Sequence, residues 1–219
     1  MNDYLVLKLN GVMQSWGGHT FEDLRHTEIM PTRSAILGLL AACLGIDRTD
    51  QNSQKALGQS IKMAIRADQR HIKTQCITDF HTVENARNVE GKKRPFPITS
   101  NREYLCDAIF TVILEQQPKS QYPLKTIKKA LQDPIYTPFL GRRACPINRP
   151  LYEAELSALN FKTAFALLDQ IAGPIYSDTR LDEKDIVRSI RDQPLYQRSR
   201  QFANRTYYIH QNTGVNHVP

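Results

Sequence analysis

An α+β fold is predicted by the order in which two hydrophobic periodicities occur along the chain. Segments with the two-residue period of strands enclose segments with the 3.6-residue period of helices, and this β-α-β order occurs twice. Between the two units lies a polar, basic stretch that contains Gly91, Pro95 and Pro97 and is typical of a projecting hairpin. The whole order predicts a ferredoxin-like βαββαβ domain with an inserted hairpin, an arrangement that RNA-recognition domains share.

The first unit begins with a predicted strand at residues 4–9. Its main helix is predicted at residues 31–45, because Pro31 suits a first helical position and Gly45 suits the left-handed residue that ends a helix. Apolar or small residues face almost all round this segment, so the helix is expected to be covered on most sides. A half-buried strand at residues 61–67 completes the unit.

The inserted hairpin is predicted near residues 81–102, after a strand at residues 71–83. Its cations outnumber its two acids, Glu84 and Glu90; they are Arg87, Lys92, Lys93, Arg94 and Arg102. The tip is expected to reach a phosphate backbone or a neighbouring subunit. A solvated basic loop without a partner is the alternative.

The second unit is predicted as a strand at residues 104–114, an amphipathic helix at 124–131 and a strand at 151–154. These elements close a domain at residues 1–156. The remaining residues, 157–219, are expected to form a small C-terminal subdomain with one helix, near 160–171, and two strands, near 186–191 and 201–209.

The composition indicates a folded protein with a polyanionic partner. There are 29 basic and 22 acidic residues, which give a net charge of +7 and favour nucleic acid. The four cysteines are far apart and form no CxxC pair, so they predict reduced core thiols and neither a zinc site nor a disulfide framework. No cofactor is predicted. The sequence contains no secretion signal and no apolar run of membrane-spanning length, which predicts a cytoplasmic location without membrane contact.

The start of the main helix is a candidate phosphate site. Arg33 places a cation in the first helical turn, where the helix dipole disfavours it, and a bound anion would reverse that effect. The hydroxyl groups of Thr32 and Ser34 would complete such a site, and Arg33→Ala is then expected to weaken RNA retention without unfolding the protein. The alternative is that Thr32 only caps the helix while Arg33 pairs with a carboxylate.

Two loops supply further candidates. The long loop at residues 11–30 contains Gln14, Trp16 and Arg25, which offer an amide, a ring and a cation for an unpaired base and its phosphate. The alternative for Trp16 is that it fills the core beneath the loop. In the second loop, residues 140–146, a glycine frees the backbone next to Arg142 and Arg143, which predicts a close approach to an anion.

Three sequence blocks together carry a resemblance to a known family. They are Gly-Val-Met-Gln-Ser-Trp-Gly at residues 11–17, Pro-Thr-Arg-Ser at 31–34 with Gly-Leu-Leu-Ala-Ala-Cys-Leu-Gly-Ile at 38–46, and Tyr-Thr-Pro-Phe-Leu-Gly-Arg-Arg-Ala-Cys-Pro at 136–146. The chain resembles the CasD-type subunits of type I-E CRISPR Cascade complexes, which belong to the RAMP superfamily. The resemblance spans most of the chain, although the segment at 84–100, which corresponds to the family's thumb, is shorter than that family leads us to expect.

The resemblance implies a non-catalytic subunit that caps one end of Cascade and holds the five-prime handle of the CRISPR RNA. Its implied partners are this RNA, the CasC-type backbone subunit and the CasA-type large subunit, with target DNA met through the assembled complex. The inserted hairpin would act as a thumb that bends the guide. The candidate RNA-binding residues are Gln14, Trp16, Arg25, Arg33, Ser34, His81, Lys92, Lys93, Arg94, Arg102, Tyr136, Arg142 and Arg143.

A metal-independent endoribonuclease that processes CRISPR precursor RNA is the alternative function. Cleavage without metal needs a base for the ribose 2′-hydroxyl group and a cation for the developing phosphorane. His19, His26 and His81 are the histidines near segments expected to face RNA, and the sequence places none of them in a recognisable acid–base pair. Type I-E complexes also assign guide processing to the CasE-type subunit, so the binding role is preferred.

Overall fold

The computed structural model describes residues 1–18, 23–69, 74–88, 90–196 and 201–212. Over this part of the chain the helices are α1 (Arg33–Leu44), α2 (Gln51–Ser60), α3 (Leu124–Gln132) and α4 (Phe161–Leu168). The strands are β1 (Asn2–Asn10), β2 (Met13–Gln14), β3 (Leu24–Arg25), β4 (Ile61–Ala67), β5 (Gln75–Val83), β6 (Ile98–Cys106), β7 (Ile109–Gln116), β8 (Tyr152–Ala158), β9 (Ile175–Ser177), β10 (Ile186–Pro194) and β11 (Phe202–His210).

The main sheet has seven strands in the order β10-β11-β9-β4-β7-β1-β8. Its segment β4-β7-β1-β8 is antiparallel throughout and has the order of the predicted ferredoxin-like domain. Leu5, Leu7 and Leu9 of β1 face one core with α1 and α3, whereas Tyr4 and Val6 face a second core with α4. The α+β prediction is therefore confirmed, with a helical layer on each side of the sheet.

Helix α1 has the two ends that the sequence predicts, with one shift. The side chain of Thr32, and not a proline, forms the N-cap and accepts a hydrogen bond from Ala35 N. Gly45 adopts a φ of 71° and donates to the carbonyl groups of Ala41 and Ala42, which ends the helix. Pro31 therefore lies just before the N-cap and outside the helix.

The predicted strand at residues 104–114 is in fact two strands in two different sheets. Asp107 lies between β6 and β7 with a φ of 58°, a left-handed conformation that aspartate tolerates better than most residues. β6 joins β2, β3 and β5 in a second sheet, whereas β7 lies between β4 and β1 in the main sheet. Both halves are apolar because both are buried, so hydrophobicity alone does not reveal the break.

We refer to β5, β6 and the tip between them, residues 75–106, as the thumb. Its two strands pair antiparallel from Gln75↔Cys106 to Val83↔Ile98. The pairing resumes in the tip, where Arg94 N donates to Ala86 O over 2.8 Å. The inserted hairpin is therefore longer at its base than the predicted range, and nearly all of β5 is exposed.

The C-terminal strands extend the main sheet. β9 pairs with β4 through Ala64↔Ser177, and β11 then pairs with β9. The sheet consequently continues across the division expected at residue 156, so the C-terminal residues complete the first domain's sheet. Within the described residues, no helix is long and apolar enough to span a membrane.

Candidate nucleic-acid interface

The three sequence blocks that carry the resemblance meet in space. Ser15 N donates to Leu140 O over 3.1 Å, which joins the first block to the third. The hydroxyl group of Thr32 donates to Trp16 O over 3.2 Å, and Tyr136 N donates to Ala42 O over 3.1 Å. Each block is therefore hydrogen-bonded to another through backbone groups, although the blocks are far apart in sequence.

Gly141 is the closest contact between two of these blocks. Its φ is +86°, and a Cβ atom at this position would lie 1.6 Å from Ser15 O. Any side chain would therefore push the loop at residues 139–146 away from the loop at residues 13–17. Gly141 is therefore needed for the two loops to pack against each other, whether or not an anion also approaches its backbone.

The blocks line a cleft of about 750 Å³. The N-terminal half of α1 forms one wall with Ser34 and Gly38, and the third block contributes Tyr136 and Phe139. Gly38 has no atom within 4 Å of its would-be Cβ, so this part of α1 is open to a ligand. A further wall comes from residues 194–196 and 201–202, and no sequence pattern indicated residues 194–196.

Gln14 and Trp16 lie in the core beneath this cleft. Gln14 is fully buried, and its Nε2 donates to Ala108 O over 2.6 Å. The indole Nε1 of Trp16 donates to Gln14 Oε1 over 3.2 Å, and the ring packs edge-on against Phe110. This geometry supports the alternative in which Trp16 fills the core, and Gln14 anchors the loop to the junction between β6 and β7.

Arg33 lies in a buried ion network. Its guanidinium group pairs with Asp178 and donates to the carbonyl groups of Gly58 and Ile61 over 2.8 and 3.1 Å. Its backbone amide donates to Asp192 Oδ2 over 2.7 Å, and Arg205 pairs with both aspartates. The geometry therefore supports the carboxylate alternative, because internal acids already occupy the cation and the first free amide of α1.

Arg142 fastens the third block to the second sheet. Its two terminal nitrogens donate to Glu103 O and Arg25 O over 3.1 and 3.0 Å. The guanidinium group also lies 4.7 Å from the ring centroid of Tyr104. These contacts hold the Arg142 side chain against the second sheet, whereas the side chain of Arg143 is exposed.

The remaining predicted cations lie on the surface of the second sheet. Arg25 is exposed on β3, and the partly exposed Arg102 is directly opposite Asp79 in the β5–β6 ladder. Arg102 Nε donates to Ser100 Oγ over 3.1 Å, and no carboxylate of the described chain pairs with its guanidinium group. Three further cations, Lys92, Lys93 and Arg94, are exposed in the tip of the thumb.

Two of the three candidate histidines form carboxylate pairs, which corrects the sequence interpretation that none of them does. His81 Nε2 lies 2.6 Å from Asp79 Oδ2 and 3.3 Å from the Tyr104 hydroxyl group. His26 Nδ1 lies 2.9 Å from Glu103 Oε1. Burial opposes ionisation of Glu103, but hydrogen bonds from Thr27 N and His26 outweigh it and lower the pKa of Glu103. His19 lies outside the described residues.

The cysteines and acids provide no metal site among the residues described. No group of three His, Cys, Asp or Glu side chains in this part of the chain could hold a metal ion. Cys43 and Cys145 are buried thiols, and burial raises the pKa of Cys43 to about 11. Cys76 is exposed in the thumb, so the prediction of core thiols does not hold for it.

Comparison with known proteins gives the family. The family described as CRISPR-associated protein (Cas_Cas5) matches residues 4–208. The chain belongs to the Cas5 family. It is 41% identical over 215 residues to the CRISPR system Cascade subunit CasD of Escherichia coli strain K12, which covers 95% of this chain and 96% of that protein. The predicted resemblance to CasD-type subunits is thereby confirmed.

Solved structures agree with the Cas5 assignment. A chain of a CRISPR RNA-guided surveillance complex superimposes with a TM-score of 0.76 at 25% identity, over 96% of this chain and 90% of that chain. A second solved structure, of a Cas protein, gives a TM-score of 0.59 at 25% identity, over 96% and 95% of the two chains. The fold that the chain shares with these two structures therefore extends over almost its whole length.

Proposed function

We propose that this Cas5-family chain is the CasD-type subunit of a type I-E Cascade complex. It holds the five-prime handle of the CRISPR RNA without cleaving it. The observation that carries this proposal is the convergence of the three sequence blocks on one cleft, together with the exposed cations on the second sheet, to which Arg142 fastens the third block. Phosphates bind such cations, and an open groove of this size accommodates unpaired bases.

The candidate residues divide into two groups by their contacts. Gln14, Trp16, Arg33 and Arg142 shape the site through contacts within the protein. The others present polar or charged groups at the surface and contact RNA in this proposal; they are Arg25, Ser34, His81, Lys92, Lys93, Arg94, Arg102, Tyr136 and Arg143.

The proposed partners follow from the same assignment. The chain binds the CRISPR RNA, the CasC-type backbone subunit and the CasA-type large subunit in the cytoplasm, and it meets target DNA through the assembled complex. Co-expression with the remaining subunits and a guide tests this proposal, because the chain should then co-purify with RNA. A preparation that assembles without this chain, or excludes it, would contradict the assignment.

Arg102 is expected to need a planar guanidinium group and not only a charge. It is held by the rigid β6 strand and has no carboxylate partner in the described chain, so it can bind a phosphate and stack on a displaced base. Arg102→Lys is therefore expected to weaken binding of a handle-containing RNA nearly as much as Arg102→Ala. Filter binding by the reassembled complex measures both variants.

The control for Arg102 is Lys125→Ala, which removes an exposed cation on α3, away from the second sheet. It should bind RNA like the unmodified chain. If Arg102→Lys binds normally and only Arg102→Ala is weak, Arg102 acts as a point charge; normal binding by both removes it from the site.

The endoribonuclease alternative has one observation in its favour. Asp79 orients the His81 imidazole, and the Tyr104 hydroxyl group lies close to the same nitrogen, so a general base and a second proton donor are adjacent. We nevertheless expect no cleavage of repeat-containing precursor RNA, with or without divalent metal, because the type I-E complexes that the chain resembles assign guide processing to the CasE-type subunit. Gel analysis of labelled precursor decides this, and specific cleavage that disappears in His81→Ala would establish the enzyme.

A further inference from the structure

A second cationic surface lies outside the cleft, in the C-terminal part of the main sheet. Residues 178–192 contain five acids and four cations. Three of the acids pair with cations from elsewhere in the chain: Asp178 with Arg33 and Arg205, Asp192 with Arg205, and Asp182 with Lys162. Asp185 contacts the His210 imidazole, so Asp185 and Glu183 are left to offset the segment's own Arg180, Lys184, Arg188 and Arg191, none of which pairs with a carboxylate of the described chain. The segment therefore has an excess of uncompensated positive charge.

The strands of this segment have one uncovered face. Tyr208 is opposite Val187 and Ser177, and Ser189 is opposite Thr206, so these side chains project from the same side of the sheet. His210 of the same strand is opposite Ile175, which packs in the core beneath α4, so this is the α4 side. α4 itself packs on β8 at the far edge, and no other described helix covers β10 and β11 on this side.

We call this surface the outer ribbon: Arg180, Val187, Ser189, Arg191, Asn204, Thr206 and Tyr208. Ser189, Asn204 and Thr206 are exposed and supply two hydroxyl groups and an amide between the two arginines. Arg180 lies 6.0 Å from the ring centroid of Tyr208, and Arg191 Nε donates to Phe202 O over 2.8 Å. Each of these two arginine side chains therefore makes one contact within the protein and keeps further N–H groups that can donate to a ligand.

We propose that the outer ribbon binds the phosphate backbone of a nucleic-acid duplex, with Arg180 and Arg191 as phosphate ligands. Arginine, hydroxyl and amide side chains are the groups that contact phosphate and sugar in such complexes. A duplex fits better than a single strand, because single strands need exposed rings on which bases stack. Tyr208 is the ring on this surface, and it is half-buried beneath Arg180.

The outer ribbon faces away from the α1 wall of the cleft, because α1 packs on the opposite side of the main sheet, and the two sites meet only where Arg191 bonds to the carbonyl group of Phe202. The outer ribbon therefore leaves handle RNA and a duplex free to bind the same chain together. The duplex contacts are to backbone groups alone, so binding is expected to be insensitive to sequence and strongly dependent on salt.

The test uses the purified full chain and a short fluorescein-labelled DNA duplex of mixed sequence. The double variant Arg180→Gln, Arg191→Gln is compared with Lys125→Gln, Lys129→Gln, which lowers the net charge equally but alters α3 on the opposite side of the sheet. We expect the ribbon variant to lower the slope of log affinity against log salt by about 1.8, since each phosphate contact contributes about 0.9. The α3 variant should leave the slope unchanged.

Other outcomes are equally decisive. If the salt slope decreases equally in the two variants, the effect comes from net charge alone and the proposal is wrong. The proposal is also wrong if the unmodified chain does not bind the duplex. Tighter binding of a single strand than of the duplex would also overturn it. Binding of an RNA duplex of the same sequence, measured in parallel, shows whether the surface prefers an RNA or a DNA backbone. Handle RNA binding should be unchanged in the ribbon variant; its loss would assign Arg180 and Arg191 to the guide site instead and leave the proposed function standing.

Discussion

Arg33→Ala is expected to lower the free energy of unfolding by about 3 kcal/mol, the low end for breaking a buried ion pair, because Asp178 keeps Arg205 as its remaining partner. Arg33 and Asp178 have side-chain exposures of 8% and 12%, so water cannot replace the lost contact fully. The substitution also leaves the carbonyl groups of Gly58 and Ile61 without a donor. Denaturant unfolding of the purified chain measures the loss.

A matched control is Arg48→Ala, which removes an exposed arginine at the far end of α1 and should change stability by no more than about 0.5 kcal/mol. Arg33→Lys retains the charge but not the fork of donors, so it should lie between the two. A stable Arg33→Ala protein that binds handle RNA poorly would instead support the phosphate interpretation of the helix start.

Gly141→Ala is expected to cost between about 2 and 5 kcal/mol and to abolish handle binding. The left-handed backbone accounts for about 1–2 kcal/mol of this. The remainder comes from the clash with Ser15 O, which separates two walls of the cleft. Denaturant unfolding and RNA binding, measured on the same preparation, give the loss of stability and the loss of handle binding.

The control isolates the backbone strain. Gly91 has a φ of +79° and no atom within 4 Å of its would-be Cβ, so Gly91→Ala carries the strain without the clash. It should cost only about 1–2 kcal/mol. If the two alanine variants are equally stable, the contact between Gly141 and Ser15 does not hold the blocks together.

The elements with strong local signals could be predicted from the sequence. β4 occupies the predicted residues 61–67, because its alternation is regular and Ser60 and Asp68 bound it with polar groups. α1 ends at the predicted glycine for a purely local reason, the left-handed φ of Gly45. Strand breaks without a hydrophobic signal could not be predicted, such as the one at Asp107, where residues 104–106 and 108–114 on its two sides are mainly apolar.

Long-range contacts decided the site residues that sequence patterns left open. The sequence left two possible partners for Arg33, a phosphate group of RNA or a carboxylate of the protein. Only the folded structure shows that Asp178 and Asp192 lie next to it. One pair was accessible to sequence reasoning: Asp79 and His81 are two residues apart on a strand, a spacing that places both side chains on one face. The wall at residues 194–196 had no signal at all.

The two carboxylate partners of Arg33, Asp178 and Asp192, are synthesised long after Arg33 itself. They follow it by 145 and 159 residues. At about 5–20 residues per second, ribosomes need roughly 7–30 s to add the first of these segments after α1 has been made. Throughout this interval the guanidinium group and the first amide of α1 have no carboxylate to bind. A nascent chain halted before residue 178 therefore presents a cationic helix start to any RNA nearby, whereas release of the finished chain closes that start with the protein's own acids.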